Sequence, residues 1–469
     1  MRPVEIPGPL GRRYSPGLRL RVQRLLWPVA RLLADLLPRL FDLTLAVLLL
    51  VLLSPLLAVR ALASLAQTHR VLDCDERIGR LRRRFRRLRF AGQGPLRGLA
   101  VWLNVLRGDM AVVGPRPLTE GEAVAVPVPD QVRFATRPGL VSPFGLRSRI
   151  GIAHVDESAL DRDFVYGQSL TGDLGLAARS VVTGVLGGGA AERPAPALLN
   201  FFGIPVVNTT MAEAVDWVVV AACDPAESAG GPRQMAFVNP DCLNIAWGRA
   251  AYRRVLQQAD RVLPDGIGIH TGCRMRGQML RENVNGTDMF PLLCEAASAA
   301  GRSLYLLGAR PGIAAAAAEN MQRRFPDLTI VGVRDGYFEA ADEPAVIDAI
   351  NASGADILLV AFGAPRQDLW IAANAERLTV RVAFGVGGLF DFYSGRIPRA
   401  PVWLRELGLE WAYRLLQEPG RMWRRYVIGN PLFLFRVWRQ MLAPERFALP
   451  AEAGAAPAPA DAPARREMS

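Results

Sequence analysis

The chain has 469 residues, 51% hydrophobic and 21% charged, with 56 basic against 44 acidic side chains for a formal charge of +12. That length fills two or three full-sized cores and excludes both a peptide-scale scaffold and a wholly disordered protein. Every basic residue is arginine and none is lysine, so basicity alone does not choose between nucleic acid and membrane phosphate as a partner.

A basic segment, 1–39, comes first. Leu43 to Val59 then forms an uncharged, almost wholly apolar run at the lower edge of a membrane span. Ser54-Pro55 breaks it, and arginines flank both ends (Arg31 and Arg39 before, Arg60 and Arg70 after). Because positive flanks stay cytoplasmic, the pattern predicts a hairpin that dips into the bilayer and returns. Arg77 to Arg97 contains nine arginines and no acid, interleaved with Ile78, Leu81, Phe85, Leu88 and Phe90. Such a strip suits anionic headgroups; a solvated face is the plainer reading, and nothing beside it supports nucleic acid. Gly187 to Pro196 reads as linker within 187–200.

From Phe201 to Val386, short apolar runs alternate with helical stretches. Strands are expected at Met235–Val238, Ser303–Leu307, Leu328–Val331, Ile357–Ala361 and Val380–Phe384, and helices at Leu243–Gln257, Met289–Ala299, Ile313–Arg324 and Glu343–Asn351. This alternation predicts an α/β fold with a Rossmann-like parallel sheet covered on both faces and ligands at the carboxyl ends of its strands. The chain from Gly395 to Leu442 mixes tryptophan, tyrosine and arginine, which fits either the headgroup layer or a packed helical pair. The tail, 444–469, has too few large apolar residues to pack.

Cys74, Cys223, Cys242, Cys273 and Cys294 are scattered and odd in number, so they read as reduced thiols, and three histidines make a histidine-rich metal centre a poor expectation. Several polar clusters fall at strand ends. Pro264-Asp265-Gly266 puts a carboxylate on a tight turn, which is either a general base or ordinary turn chemistry. The Asn285-Gly286-Thr287-Asp288 loop runs into a helix and turns backbone N–H groups outward, and Gly308 ends a strand in a second such loop. Gly363 and Gln367 follow the strongest strand, where an amide can meet a base or sugar, and Gly388 with Asp391 forms a further close-approach loop. No Gly-x-Gly-x-x-Gly fingerprint of dinucleotide binding occurs in the right context.

Taken in order from Asn208 to Arg439, these clusters resemble the WecG/TagA/CpsF family of glycosyltransferases. The matching signatures are Asn239, Pro264-Asp265-Gly266, Asn285 to Asp288, Phe325-Pro326-Asp327-Leu328, Gly336-Tyr337-Phe338, Gly363 to Trp370, Arg399-Ala400-Pro401, Leu409-Glu410-Trp411, and Glu418-Pro419 with Arg421, Arg424 and Arg425. The resemblance implies inverting transfer of an N-acetylmannosamine-type sugar from a UDP donor to a polyprenyl-diphosphate-linked sugar in cell-surface or exopolysaccharide synthesis, with no cofactor and no obligatory metal. Asp265 would be the base and Asn239 would lie beside the reacting sugar. Asn285, Gly286, Thr287, Asp288, Gly308, Gly363, Gln367, Gly388 and Asp391 would line the nucleotide pocket. Arg414, Arg421, Arg424 and Arg425 would hold diphosphate charge. Many relatives carry Thr where this chain has Phe237, a departure that bears on donor contact.

Residues 40–186 resemble the bacterial sugar transferases, through Phe41-Asp42-Leu43, Ser54-Pro55, Asn104 to Met110, Gly114-Pro115-Arg116-Pro117, Arg137-Pro138-Gly139 and Asp173-Leu174. That resemblance implies a mostly helical, membrane-associated domain with a re-entrant helix. Relatives place an Asp-Glu pair, whose Asp is the nucleophile, where this chain has Arg97-Gly98. Without it the domain is expected to be inactive and to hold lipid diphosphate through Arg116; Asp73, Asp75 or Glu76 as a displaced nucleophile is the rival. The expected organisation is thus a membrane platform (40–186), a linker, a glycosyltransferase domain (201–443) and a tail. The expected place is the cytoplasmic face of a bacterial inner membrane, with a lipid-linked sugar and a nucleotide sugar as partners, no nucleic acid, and a homo-oligomer left open. A bifunctional enzyme and a non-catalytic scaffold are the alternatives.

Overall fold

The computed structural model describes residues 36–93, 96–149, 157–187, 195–223 and 231–449. Most of the basic segment, most of the linker and most of the tail lie outside the described residues. Two compact units divide the chain, one from residues up to Leu146 with Val155–Val182, the other chiefly from Thr183 onward.

In the first unit, helix α1 (Leu36–Leu52) and helix α2 (Ser54–Thr68) meet at 70°. Pro55 supplies no N–H to continue the ladder, and the Ser54 hydroxyl instead donates to the Val51 carbonyl at 2.8 Å. No single described helix is long and apolar enough to cross a membrane, although the bent pair is by length and composition. Its outward side chains include Val47, Leu48, Val51, Leu52, Val59 and Leu62, all exposed. Two of the flanking arginines are tied to protein rather than left outside. Arg39 donates to the Val105 carbonyl at 2.8 Å, and buried Arg60 donates to the Ala91 carbonyl at 3.0 Å.

The arginine strip folds as an antiparallel hairpin, strand β1 (Leu72–Ile78) against strand β2 (Arg84–Phe90). Register sets Asp75 opposite Arg87 and Asp73 opposite Arg89. Asp75 is 2.6 Å from both Arg77 and Arg87; burial alone would raise its pKa, but hydrogen bonds from Arg87 and Arg77 hold it down at about 2. Arg84 pairs with Glu120, and Arg82 lies over Phe134 at 4.8 Å. Acids just upstream of the strip and an aromatic beyond it therefore take up much of its charge. A short parallel pair, β3 (Ala111–Val113) and β4 (Gly139–Val141), packs with Ala46, Val105, Met110 and Phe164 in this unit's core.

The second unit opens with an antiparallel hairpin, β5 (Leu198–Phe201) and β6 (Ile204–Val207). Its sheet has six strands: β7 (Arg233–Val238), β8 (Arg261–Pro264), β9 (Leu304–Gly308), β10 (Ile330–Arg334), β11 (Ile357–Ala361) and β12 (Val382–Gly385). Their spatial order is β10-β9-β11-β12-β7-β8, and every pairing is parallel. Every residue of central β11 is buried, as an unbroken apolar run covered on both faces requires. Burying each of Leu358, Leu359 and Val360 contributes about 1.5–3 kcal/mol. The chain builds β7 and β8 at one side and then crosses over to β9, returning through β11 and β12. The carboxyl ends of β12 and β7 thus flank a switch in strand order, the place where such sheets open a crevice.

Two expectations shift in detail. The strand expected at 328–331 runs instead from Ile330 to Arg334. The helix expected over 243–257 is two helices, α3 (Pro240–Gly248) and α4 (Ala250–Gln258), parted by Arg249 in an extended conformation. Asn239 caps α3 with Pro240 at its first position, which moves the start of that helix earlier.

Candidate active site

The strand ends surround a cleft of about 600 Å³. Register brings Val238 beside Pro264, so the next residues, Asn239 and Asp265, emerge together at the top of β7 and β8. The Asp265 amide donates to the Val238 carbonyl at 2.8 Å. The turn then needs Gly266, whose φ of +93° is strained for any side chain. Its N–H donates to the Asn283 Oδ1 at 2.5 Å, which fixes the peptide behind the carboxylate.

Asn239 has a double task. Its Oδ1 accepts from the Asp241 and Cys242 amides, both at 3.1 Å, and its side chain lies near enough to Asp265 to favour the ionised carboxylate. Burial pushes the Asp265 carboxyl above the usual range; Arg414, Arg425 and Asn239 pull it back, while Glu410 adds to the rise. A raised carboxylate open to a cleft is suited to taking a proton from a hydroxyl.

The opposite wall is made of backbone. Helix α5 (Gly286–Ala299) is capped by Asn285, whose Oδ1 accepts the Asp288 amide at 2.8 Å. Tyr393 donates its hydroxyl to the Thr287 carbonyl at 2.7 Å and holds that loop in place. On helix α6 (Arg366–Asn374), buried Gln367 accepts on Oε1 from the Gly363 and Gly387 amides, each at 3.0 Å. One side chain thereby clamps the loops after β11 and β12. A Cβ at Gly385 would lie 2.2 Å from Gln367 Nε2, so this glycine is needed for the clamp to fit.

Cations close the other side. Helix α7 (Leu389–Tyr393) supplies Phe392, over which Arg414 of helix α8 (Glu410–Gln417) stacks at 4.7 Å. Arg414 Nε is buried without a hydrogen-bond partner, and its guanidinium lies 3.9 Å from Glu410. Arg425 lies 3.6 Å from Asp241. Trp411 and Tyr426 pack at 5.9 Å between their centroids, and both line the cleft with Arg405, Arg424 and Glu410.

Most expected site residues meet here: Asp265, Asn239, Asn285, Gly286, Thr287, Gly363, Gln367, Gly388, Arg414, Arg424 and Arg425 all line the cleft. Three expected pocket residues do not line it. Asp288 is spent on Asn285, Arg399 and Arg405. Gly308 is a packing position, where a Cβ would lie 2.7 Å from the Ala361 carbonyl oxygen. Asp391 is paired with Arg396 at 2.6 Å. Arg421 belongs to helix α9 (Pro419–Trp423), and its side chain lies outside the described set. Arg116 sits in the first unit, held by Glu122 at 2.9 Å and Glu157 at 3.1 Å. Sequence reasoning missed Asn283, Arg405 and Tyr393 as site-building residues; only the fold brings them to partners that lie 17, 117 and 106 residues away in the chain, Gly266, Asp288 and Thr287.

Residues 199–447 match the family described as glycosyl transferase WecG/TagA/CpsF family. The chain belongs to that family. Residues 96–187 match a second family, bacterial sugar transferase. An N-acetylglucosaminyldiphosphoundecaprenol N-acetyl-beta-D-mannosaminyltransferase of Bacillus spizizenii is 37% identical over 187 residues, covering 40% of this chain and 72% of the relative. The protein of that name from Bacillus subtilis is 30% identical over 237 residues, 50% of this chain and 90% of the relative. That of Staphylococcus aureus strain MRSA252 is 28% identical over 246 residues, 52% and 94%. The protein is a glycosyltransferase, and its cleft is made wholly by the part of the chain that matches the transferase family.

Proposed function

We propose that the enzyme transfers an N-acetylmannosamine-type sugar, with inversion, from a UDP donor to a polyprenyl-diphosphate-linked sugar at the cytoplasmic face of a bacterial inner membrane. The observation that carries this reading is the Asp265 carboxyl, next to Asn239 and flanked by Arg414 and Arg425 in one cleft. The acceptor hydroxyl oxygen bonds to the anomeric carbon as the bond from that carbon to the diphosphate oxygen breaks, and Asp265 takes the hydroxyl proton. UDP leaves with both electrons of the broken bond, and Arg405, Arg414, Arg424 and Arg425 supply positive charge to it or to the acceptor diphosphate. No metal is required by this scheme.

The apolar side of the bent α1–α2 pair supports a membrane-dipping role for the first unit. So does the outward face of helix α10 (Gly429–Leu442) for the second, where Phe435, Trp438 and Leu442 are exposed while Phe433 and Val437 are buried. The first unit is read as a platform without phosphoryl-transfer activity. Arg97 occupies the nucleophile's place and lies 3.4 Å from Asp73, and Asp75 is neutralised by arginines. Holding the acceptor on the same leaflet raises its local concentration.

The test supplies a short-chain polyprenyl-diphosphate N-acetylglucosamine and UDP-N-acetylmannosamine and follows product mass and released nucleotide. UDP release that is abolished in Asp265→Asn, with UDP binding retained, is expected. Full activity in that variant removes the assignment, and UMP release when polyprenyl phosphate is supplied as the acceptor shows the bifunctional alternative to be right.

A further inference from the structure

We propose that Asn244 is a positioning residue for the transfer reaction: by holding the Gly429 carbonyl it fixes the wide turn that carries Arg424 and Arg425 to the cleft. This rests on the glycosyl-transfer reading and adds to it what sets the cations against the base.

Pro431 lies in the first turn of α10. It has no N–H for the Val427 carbonyl four residues before it, and its ring crowds that carbonyl. Just upstream, Arg424–Ile428 widens into a π-helical turn, where the Gly429 amide reaches back five residues to the Arg424 carbonyl. A regular helical turn sets consecutive side chains about 100° apart, whereas a wider one lets them diverge less. Both Arg424 and Arg425 accordingly line the cleft, with Tyr426 beside them.

This turn is seated on α3. Asp241, Asn244 and Trp247 follow one another at three-residue intervals and so share a face of that helix. Asp241 lies 3.6 Å from Arg425, and Asn244 donates from Nδ2 to the Gly429 carbonyl at 2.8 Å. Arg436 donates to the Asn244 Oδ1 at 2.8 Å and to its carbonyl at 3.0 Å, while lying over Trp247 at 5.1 Å. A guanidinium only donates and a carbonyl only accepts, so the two partners fix which way the amide points. The Asp241 ion pair is partly exposed and weak by comparison. Helix α3 starts at Asn239, which lines the cleft with Asp265. One short helix thus runs from beside the base to the seat of the arginine turn.

Arg414, Arg425 and Asn239 lower the pKa of Asp265, against burial and Glu410, which raise it. A turn that slips and withdraws Arg425 therefore raises that pKa, an effect that loss of stability does not imitate.

The experiment follows UDP release against pH, with UDP-N-acetylmannosamine and a short-chain polyprenyl-diphosphate N-acetylglucosamine, in the parent, Asn244→Leu, Arg425→Gln and the double variant. Leucine keeps the size of the side chain and adds no charge. Asn244→Leu and Arg425→Gln are each expected to move the acid limb of kcat/KM upward by on the order of one pH unit, and the double variant moves it no further than Arg425→Gln. Loss of folded protein lowers the plateau and leaves the limb in place. Where Arg425→Gln is too slow to profile, the limb of Asn244→Leu decides. An unmoved limb in either single variant, or a further rise in the double variant, overturns the role of Asn244 and leaves the transferase reading standing. So does a folded Asn244→Leu protein that is inactive at every pH, because Arg405 and Arg414 stand on other elements and stay in the cleft. Release of UDP by none of the proteins, the parent included, overturns both.

Discussion

Asn283 and Gly266 are joined by a hydrogen bond of 2.5 Å from the glycine amide to the asparagine Oδ1, directly behind the Asp265 carboxylate. The bond locks a turn whose φ of +93° only glycine adopts readily. Asn283→Ala leaves that amide without its partner and frees the turn to rotate the carboxylate. A displacement of about 1 Å near reacting atoms lowers rates on the order of a hundredfold, so kcat should fall about tenfold to a hundredfold with UDP affinity nearly unchanged. Steady-state kinetics with a UDP-binding titration checks this, and an unaltered kcat would show that the turn holds its shape unaided.

Asp265 must be ionised to accept a proton, and burial raises its pKa. Activity should therefore climb with pH along an acid limb set above about 3.9, the ordinary aspartate value, and level off once the carboxylate is formed. Arg414 lowers this pKa, so Arg414→Gln should move the limb to higher pH whatever it does to the plateau. A kcat/KM profile of both proteins is decisive, and a limb that stays in place or moves down would contradict the electrostatic account.

Gln367 clamps two loops through one oxygen. Gln367→Ala should raise the KM for the UDP donor by about tenfold or more, since two amides lose their partner at about 1–3 kcal/mol each. Gln367→Glu retains an acceptor oxygen and should recover most of the affinity if the clamp is what matters. Failure of the glutamate variant to recover it would mean that the amide nitrogen is the group in use.

Asp368 is buried, accepts from the Tyr252 hydroxyl at 3.0 Å, and has its pKa pushed up to about 7 by burial. The folded protein keeps this proton up to about 7, while the unfolded chain releases it near about 3.9. Its contribution to stability is therefore greatest below the lower value, declines as pH rises between the two, and is constant above the upper. Asp368→Asn removes the ionisation and can still accept from Tyr252. Its stability relative to the parent should rise by a few kcal/mol, on the order of 1.4 per pH unit, across that window. Urea midpoints from pH 4 to pH 8 measure this, and a difference that ignores pH would place the titration elsewhere.

The parallel sheet was legible because its strands are unbroken apolar runs such as Ile357 to Ala361, and a buried strand needs no other signal. Asp265 was singled out by the resemblance of its surroundings to the family's signatures, since a carboxylate between Pro264 and Gly266 reads on its own just as well as ordinary turn chemistry. What escaped depends on partners far apart in the chain. The arginine strip looked unpaired because its acids, Asp73 and Asp75, stand just ahead of it and meet it only once β1 folds back on β2. Asp288 and Asp391 looked like ligand groups because they sit in glycine loops, yet Arg399 and Arg396 occupy them. Asn239 looked like a sugar contact, and its capping of α3 became visible only with the helix start in view.

Arg405, Arg414, Arg424 and Arg425 all follow β12 in the chain. The strands, the base and the clamped loops are therefore all encoded ahead of these four guanidinium groups. A chain ending at Gly395 carries the strands and the proton acceptor but none of these cations for a departing diphosphate, and it also lacks Phe433 and Val437 of the core, so the last stretch completes the packing and the charge together.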